Sequence, residues 1–233
     1  MINRRLINYS LFFFLSINSC SPLKKIDSID RKWAIPEIEA FEVLNVAREY
    51  KENAILFIGS SSIRLWKTLE NDMKPYPVIQ RGYGGAHFRD MIFFTNRILA
   101  DHSLSMVVCF VANDISGSPK DSSPKEVLQM FKIFVKQVRI KHPTIPIMQI
   151  AVTPTKSRWK KWKKINKVNN LIKTYCEKTK NLYFIDTIPA FLDDNGQPKP
   201  EWFINDQLHL NKRGYEVWND IIKSEIKKVK AIG

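Results

Sequence analysis

A cluster of serines and a distant histidine are the residues of this chain best suited to chemistry. Three consecutive serines, residues 60–62, follow a glycine directly after the apolar run at residues 54–58. Asp206 and His209 lie three positions apart near the other end of the chain. A serine on a tight turn after a buried strand, with a histidine and an acid elsewhere in the chain, has the parts of an activated nucleophile. The pattern therefore predicts nucleophilic catalysis by a serine.

Short apolar runs alternate with longer stretches of helical periodicity along most of the chain. The runs are nearly continuous in apolar residues, as expected of strands covered on both faces. Strands that alternate with helices form right-handed crossovers and a parallel sheet. We therefore predict an α/β flavodoxin-like three-layer sandwich, with a five-stranded parallel sheet and helices on both faces. The predicted strands are residues 54–58, 78–80, 106–111, 147–152 and 182–185, and the predicted helices are residues 37–52, 88–99, 124–141, 159–178 and 212–230.

Unusual residues fall in the loops that follow the predicted strands, where ligands of open α/β sheets bind. Four of the eight glycines, at positions 59, 82, 84 and 85, lie in the first two of these loops, and Asn113 follows the third strand. Glycine allows positive φ or a close approach of the backbone. A simple tight turn or a phosphate loop is the alternative for residues 82–85. These residues do not match Gly-x-Gly-x-x-Gly, so dinucleotide binding is disfavoured.

Four short motifs, taken in order, resemble those of the SGNH hydrolases, also called GDSL-type esterases and lipases. Gly59-Ser60-Ser61 resembles the Gly-Asp-Ser block, Gly85 the second-block glycine, Val111-Ala112-Asn113 the Gly-x-Asn block, and Asp206-Gln207-Leu208-His209 the Asp-x-x-His block. Within the family the chain is similar to the subgroup related to the catalytic subunits of platelet-activating factor acetylhydrolase. Each motif alone is weakly specific, whereas four in the right order on the right loops are specific.

The resemblance implies an ester hydrolase whose catalytic residues are Ser61, Gly85, Asn113, Asp206 and His209. Ser61 would attack the ester carbonyl while His209 takes its proton and Asp206 orients the imidazole. The backbone N–H groups of Ser61 and Gly85 and the Asn113 amide would stabilise the oxyanion. No metal or organic cofactor is implied, and the four histidines are too scattered for a metal cluster.

Two positions depart from the family pattern. Ser60 replaces the usual aspartate, which is not a catalytic residue, and Val111 replaces the third-block glycine. A β-branched residue does not adopt positive φ cheaply, so we expect the Asn113 loop to follow a different path, with lower activity or a narrower pocket. Taken singly, the motif residues have structural explanations as helix caps, a turn or a structural histidine.

The N-terminus has the layout of an export signal. Arg4 and Arg5 precede a short apolar stretch at residues 11–15, and Cys20 follows Ser19. The stretch is too short to span a membrane and the cysteine sits as in the lipobox of bacterial lipoprotein signals, although Asn18 is an imperfect match. An ordinary signal peptide or a short buried helix is the alternative.

The lipobox resemblance leads to a prediction of domains and location. We expect a signal peptide at residues 1–19, lipidation of Cys20, a tether at residues 20–35 and a hydrolase domain at residues 36–233. The protein would then be exported and lipid-anchored in a bacterial cell envelope. The chain of 233 residues is 44% hydrophobic but holds no apolar run of 18 residues, so one domain without a transmembrane span is expected.

Positive charge is concentrated in one region of a chain whose formal net charge is +14. The stretch between Lys156 and Lys167 mixes lysines and an arginine with Trp159 and Trp162. Such a mixture could bind an anionic membrane surface, an acidic glycan or nucleic acid. The alternative is a solvated helix face with the tryptophans packed inward. Because an exported protein rarely meets nucleic acid, we expect a membrane or glycan partner and no nucleic acid.

Three functional hypotheses follow. The first is an esterase acting on small-molecule, glycan or lipid esters, with short-chain or acetyl groups preferred. The second is a non-catalytic binding lipoprotein on the same fold, with Val111 marking a degenerate site. The third is a thioesterase or lysophospholipase that acts on lipid acyl chains. The motifs describe acyl-transfer machinery and leave the acyl pocket and the leaving group unspecified.

Overall fold

The computed structural model describes residues 30–232, and in this part of the chain it contains one five-stranded parallel sheet. The strands are β1 (Ala54–Gly59), β2 (Val78–Gly82), β3 (Leu104–Phe110), β4 (Ile147–Ile150) and β5 (Leu182–Ile185). Their spatial order, β2-β1-β3-β4-β5, is that of flavodoxin-like sheets. The predicted α/β three-layer fold is confirmed.

Helices cover both faces of the sheet. The helices are α1 (Ile35–Ala47), α2 (Ser61–Arg64), α3 (Leu69–Asp72), α4 (Phe88–Leu99), α5 (Pro124–Lys141), α6 (Trp162–Glu177) and α7 (Lys212–Ile232). Buried residues of α1, α4, α5 and α6 form one apolar cluster with the sheet, and those of α2, α3 and α7 form the other. Short 3₁₀ turns lie at Lys32–Ala34, Trp159–Lys161, Ile188–Phe191 and Pro200–Trp202.

Strand β1, which lies between β2 and β3, is buried along its whole length. Its alternate side chains belong to the two apolar clusters on opposite faces, as the period of a strand requires. Its last residue, Gly59, is in register with Gly82 of β2 and Phe110 of β3. The loops after these three strands therefore leave the sheet at the same level, side by side.

Several element boundaries differ from the prediction. The predicted helix at residues 37–52 spans Ile35–Ala47, because the chain becomes extended at Arg48 (φ −132°, ψ 127°) before it enters β1. The strands predicted to reach residues 111 and 152 end one and two residues earlier. Val111 and Val152 are buried all the same, so their apolar character reflects packing above the sheet edge and not strand pairing. The predicted helix at residues 159–178 is a 3₁₀ turn followed by α6.

The residues just before α1 pack against the folded domain. Ala34 is fully buried, and Arg31 is 5% exposed and forms an ion pair with Asp90 on α4. The last residues of the predicted tether at 20–35 thus contact the folded core. Cys20 and the predicted signal peptide at residues 1–19 lie outside the described residues. Within residues 30–232, no helix is long and apolar enough to cross a membrane.

Candidate active site

The end of β1 places Ser61 at the first position of α2. Gly59 has a φ of 148°, and a Cβ atom there would overlap the carbonyl oxygen of Phe110 on the neighbouring strand. Only glycine therefore allows the two strands to approach this closely. The buried Ser60 donates its N–H to the same carbonyl oxygen over 2.9 Å. The turn is thus fixed on β3 before the chain reaches Ser61.

Ser61, His209 and Asp206 form a continuous chain of hydrogen bonds. Ser61 Oγ lies 2.9 Å from His209 Nε2, and His209 Nδ1 lies 2.6 Å from Asp206 Oδ2. The other carboxylate oxygen of Asp206 accepts the backbone N–H groups of Leu208 and His209, each over 2.9 Å. Gln207, with φ of 53°, turns the loop back on itself. The structure thus brings together the three residues that the sequence grouped by type.

Hydrogen bonding favours the ionised form of Asp206. Partial burial raises the pKa of this carboxyl group, but bonds from the His209 ring and from the backbone N–H groups of His209 and Leu208 outweigh burial, and the pKa lies below its ordinary value. A carboxylate in contact with Nδ1 fixes the tautomer of the ring and stabilises its protonated form. Nε2 is then the ring nitrogen that faces the serine.

Asn113 lies in the loop after β3 with both ends of its side-chain amide engaged. Its Nδ2 donates to the carbonyl oxygen of Ala86, next to Gly85, over 2.9 Å. Its Oδ1 accepts a hydrogen bond of 2.7 Å from Arg158 Nη2. Because an amide nitrogen carries two hydrogens, one donor of Nδ2 remains for a ligand. Asn113 and the Gly85 loop are therefore neighbours, as the motif order requires.

Arg158 is a site residue that the sequence reasoning missed. The sequence assigned it to the basic surface between Lys156 and Lys167, whereas its guanidinium turns inward and donates to the Ala112 carbonyl oxygen as well as to Asn113. Burial lowers the pKa of this guanidinium from its usual value. The adjacent Ser157 N–H donates to the carbonyl oxygen of Gln207 over 3.2 Å. One loop after β4 thus contacts both the Asn113 loop and the Asp206–His209 loop.

The Gly85 loop is held from the N-terminal side of the domain. Gly85 is exposed and has a φ of 71°, which glycine adopts without strain. The N–H of Gly84 donates to Glu37 Oε1 on α1 over 3.3 Å, and the same oxygen pairs with Arg64 on α2. Glu37 therefore links the loop to the helix that begins at Ser61. No motif pointed to this contact.

Val111 does not distort the loop in the way its β-branch led us to expect. Among the described residues, those with positive φ do not include Val111, and its side chain is buried in the apolar core. The conformation that would require glycine is absent at this position. The expected change of loop path is therefore not needed to accommodate valine, and Asn113 remains oriented towards the Gly85 loop.

Asp114, in the loop after β3, is a buried acid. Its carboxylate accepts the N–H of Phe88 at the start of α4, at 3.2 Å to the nearer oxygen. Burial raises the pKa of Asp114 to about 6, although the nearby His87 and the bond from Phe88 act in the opposite direction. The hydrogen bond from Phe88 links the Asn113 loop to α4. Burial disfavours the ionised form of the Asp114 carboxyl group.

The other chemically suggestive residues lie apart from this arrangement. Both cysteines of the described chain, Cys109 and Cys176, are buried and unbridged, and burial raises the pKa of each thiol. Within residues 30–232, no group of three or more metal-ligating side chains is close enough to hold a metal ion. Trp159 and Trp162 stack on each other at 5.7 Å and are half-buried. Trp162 also packs against the apolar core, while most of the neighbouring lysines stay exposed.

Sequence comparison identifies the family of the protein. A sequence model of the GDSL-like lipase/acylhydrolase family matches residues 60–217, which is more than half of the chain. The protein belongs to this family, as the motifs predicted, and is an ester hydrolase. A search of curated proteins found no match.

Solved structures share the fold over most of their length. One is a protein from Streptococcus pneumonia that carries the provisional name platelet activating factor. It is 22% identical to this chain, with a TM-score of 0.68, and the match covers 83% of this chain and 94% of that chain. A GDSL-like lipase from Bacteroides thetaiotaomicron is 18% identical, with a TM-score of 0.70, and the match covers 82% of this chain and 98% of that chain. An acetylxylan esterase from Geobacillus stearothermophilus is 16% identical, with a TM-score of 0.63, and the match covers 76% of this chain and 96% of that chain. These likenesses concern the fold.

Proposed function

We propose that the protein hydrolyses carboxylic esters through an acyl-enzyme on Ser61, with His209 as general base and Asp206 as its partner. The observation that carries the proposal is the chain of hydrogen bonds from Asp206 through His209 to Ser61, with distances of 2.6 and 2.9 Å. A nucleophile within hydrogen-bond reach of a base that a third group orients is the geometry of an activated serine. These three hydrogen-bonded side chains lie at the carboxyl edge of the sheet, where ligands of such folds bind.

The reaction proceeds in two halves. As Ser61 Oγ bonds to the carbonyl carbon, His209 Nε2 takes the hydroxyl proton, and it returns this proton to the alcohol when the ester C–O bond breaks. In the second half, His209 takes a proton from a water molecule whose oxygen attacks the acyl-enzyme. The carboxylic acid leaves as Ser61 regains its proton. Asp206 stays ionised throughout and stabilises the protonated ring.

Three donors are proposed for the oxyanion. The N–H of Ser61 is at the first position of α2, where backbone N–H groups have no partner within the helix. The Gly85 N–H and the second hydrogen of Asn113 Nδ2 come from the two adjacent loops. The loss of one such donor costs about 100- to 1,000-fold in kcat.

Short-chain esters, acetyl esters above all, are the proposed substrates. The support is the fold shared with a protein named as an acetylxylan esterase. A panel of p-nitrophenyl esters from acetate to dodecanoate tests this, with Ser61→Ala as the inactive variant and Ser62→Ala as its matched control. We expect the highest kcat/KM on acetate, lost in Ser61→Ala and largely retained in Ser62→Ala. A preference for long chains would favour a lysophospholipase, and no hydrolysis at all would favour a binding role.

We also propose that the protein is exported and anchored by lipid at Cys20 in a bacterial cell envelope. The support is the sequence of residues 1–20, with its basic start, short apolar stretch and cysteine. In a bacterial host, the wild-type protein should partition with membranes and carry a lipid on Cys20, and Cys20→Ala should not be processed as a lipoprotein. Identical partitioning of the two into detergent would refute lipidation.

An anionic surface is the proposed partner of the stretch between Lys156 and Lys167. Five of its lysines are exposed, whereas Arg158 is directed inward and does not contribute. The stretch follows β4 at the edge of the sheet that carries Ser61. Its positive potential would draw an anionic lipid surface or glycan towards the site without taking part in the chemistry.

A further inference from the structure

A cleft of about 580 Å³ opens beside Gly85, on the side of the N-terminal segment. The residues that matter in its lining are Asp30, Trp33, Gly85, His87, Arg89 and Lys120. This volume falls within the range of roughly 300–1,000 Å³ that ligand sites occupy. Because Gly85 supplies a proposed oxyanion donor, a substrate whose ester carbonyl lies at that donor has this cleft next to it.

Trp33 forms an exposed aromatic wall of the cleft. Its side chain is among the few large apolar groups left in solvent, at 49% exposure. A Cβ atom built on Gly85 would lie 3.5 Å from the indole ring, so the ring is in direct reach of the oxyanion loop. The indole also approaches the buried Tyr83, with ring centres 6.1 Å apart. An aromatic side chain in the wall of a cleft, with polar groups around it, is typical of a ligand-binding site.

The position of Trp33 is fixed by its neighbours in the chain. Ala34 is fully buried in the core. Arg31 pairs with Asp90, which also accepts from the backbone N–H of His87 over 3.1 Å. The segment that carries the indole is therefore held on both sides of Trp33, by the ion pair of Arg31 with α4 and by the burial of Ala34, and the wall of the cleft is pre-formed.

The remaining lining of the cleft is polar. Asp30, His87, Arg89 and Lys120 carry carboxylate, imidazole, guanidinium and ammonium groups. The ion pairs of the described residues involve neither Arg89 nor Lys120. An acyl chain would desolvate these groups without replacing their hydrogen bonds, which is costly. A sugar ring instead offers a C–H face to an indole and hydroxyl groups to charged side chains.

We propose that this cleft is a binding subsite for the sugar ring of a carbohydrate ester, and that Trp33 is the residue that selects it. The proposal rests on the ester hydrolysis proposed above and names the substrate class of that site. The sugar ring stacks on Trp33 while its hydroxyl groups bind the polar rim. The ester carbonyl then lies at Gly85, with the acyl group directed away from the cleft.

The test compares Trp33→Ala and Trp33→Phe with the wild type on two kinds of acetyl ester. The sugar substrates are xylose tetraacetate, glucose pentaacetate and an acetylated xylo-oligosaccharide, and the small substrate is p-nitrophenyl acetate. We expect Trp33→Ala to lower kcat/KM on the acetylated sugars at least tenfold through KM, with less than a twofold change on p-nitrophenyl acetate. Trp33→Phe should restore part of the loss. Val46→Ala, at a 91% exposed position on α1, is the control and should match the wild type.

The outcomes separate the subsite from the esterase. Equal losses on all substrates, or a loss confined to a long-chain ester such as p-nitrophenyl decanoate, would overturn the sugar subsite while leaving the esterase in place. If the wild type hydrolyses none of the esters, the proposed function fails. Calorimetry of Ser61→Ala with a xylo-oligosaccharide still tests the subsite in that case, because binding should be observed and should be lost on adding Trp33→Ala. Binding that is unaffected by Trp33→Ala would contradict the proposal.

Discussion

Replacing Arg158 with methionine tests whether the proposed oxyanion donors depend on a residue outside the family motifs. Arg158 holds Asn113 Oδ1 at 2.7 Å and thereby directs the opposite end of the amide, Nδ2, towards the Gly85 loop. Methionine keeps much of the side-chain volume and removes both hydrogen bonds. The Asn113 amide is then held only by its bond to the Ala86 carbonyl oxygen, so it can rotate more easily, and an amide oxygen turned towards the oxyanion would repel it.

The expected loss of activity in Arg158→Met is smaller than the loss of a whole oxyanion donor. Complete loss of an oxyanion donor costs about 100- to 1,000-fold in kcat. Since Arg158→Met loosens Asn113 without deleting it, we expect a loss of roughly 10- to 100-fold in kcat with little change in KM on p-nitrophenyl acetate. The oxygens of Ala112 and Asn113 each lose a donor, at about 1–3 kcal/mol apiece, offset in part because a desolvated guanidinium is removed.

A double-mutant cycle with Asn113→Ala distinguishes positioning from general damage. In the Asn113→Ala background, Arg158→Met should change kcat by less than twofold, because the group that Arg158 positions is already gone. Lys160→Met, at an exposed neighbouring position, is the control and should behave as the wild type. The thermal unfolding midpoint of each variant is measured so that every assay uses folded protein. Equal losses in both backgrounds, or an unchanged kcat in the single variant, would refute the positioning role.

Three further predictions concern the triad, the buried acid and the basic surface. His209→Ala should be nearly inactive and Asp206→Asn less damaged, because the latter disturbs the orientation of the base without removing it; equal kcat values in the two variants would contradict these roles. Burial raises the pKa of Asp114 to about 6 in the native state, above its value of about 4 in the unfolded state. Between about pH 4 and 6 the native state therefore holds a proton that the unfolded state has lost, and the free energy of unfolding should fall as the pH rises. Asp114→Asn should abolish that fall and raise the free energy of unfolding at pH 7 by on the order of 2 kcal/mol in denaturant titrations; an unchanged pH profile would count against it. Replacing four basic residues with glutamate (Lys160, Lys161, Lys163 and Lys164) should weaken binding to anionic vesicles at low salt with little change in turnover of p-nitrophenyl acetate, whereas equal vesicle binding would leave the stretch as a solvated helix face.

The sheet and the proximity of Ser61, Asp206 and His209 were predictable from the sequence for one shared reason. Apart from β2, which contains Gln80 and Arg81, the strands are nearly continuous apolar runs because they are covered on both faces. The loops at their carboxyl ends must therefore carry the unusual residues. Ser61, Asp206 and His209 stood out because each had a characteristic neighbour at a fixed spacing. The ends of strands were less predictable, since Val111 and Val152 are buried without being paired.

The supporting residues could not be predicted because their roles depend on contacts distant in sequence. Arg158 sits among lysines in a basic run, and nothing local distinguishes an inward guanidinium from an exposed ammonium group. Glu37 contacts Gly84 across 47 positions of the chain. Trp33 precedes the first helix and lies beside Gly85 only because its segment packs against the start of α4. These contacts belong to packing between elements, which spacing along the chain does not encode.

Covalent labelling with a fluorophosphonate probe tests the proposed nucleophile most directly. The probe phosphonylates an activated serine, and intact mass followed by peptide mapping identifies the modified residue. We expect one adduct per chain, on Ser61, absent in Ser61→Ala and formed at least 100-fold more slowly in His209→Ala, because the base that activates the hydroxyl is missing. An adduct on Ser60 or Ser62, or labelling of Ser61→Ala at the wild-type rate, would contradict the assignment of Ser61 as the nucleophile.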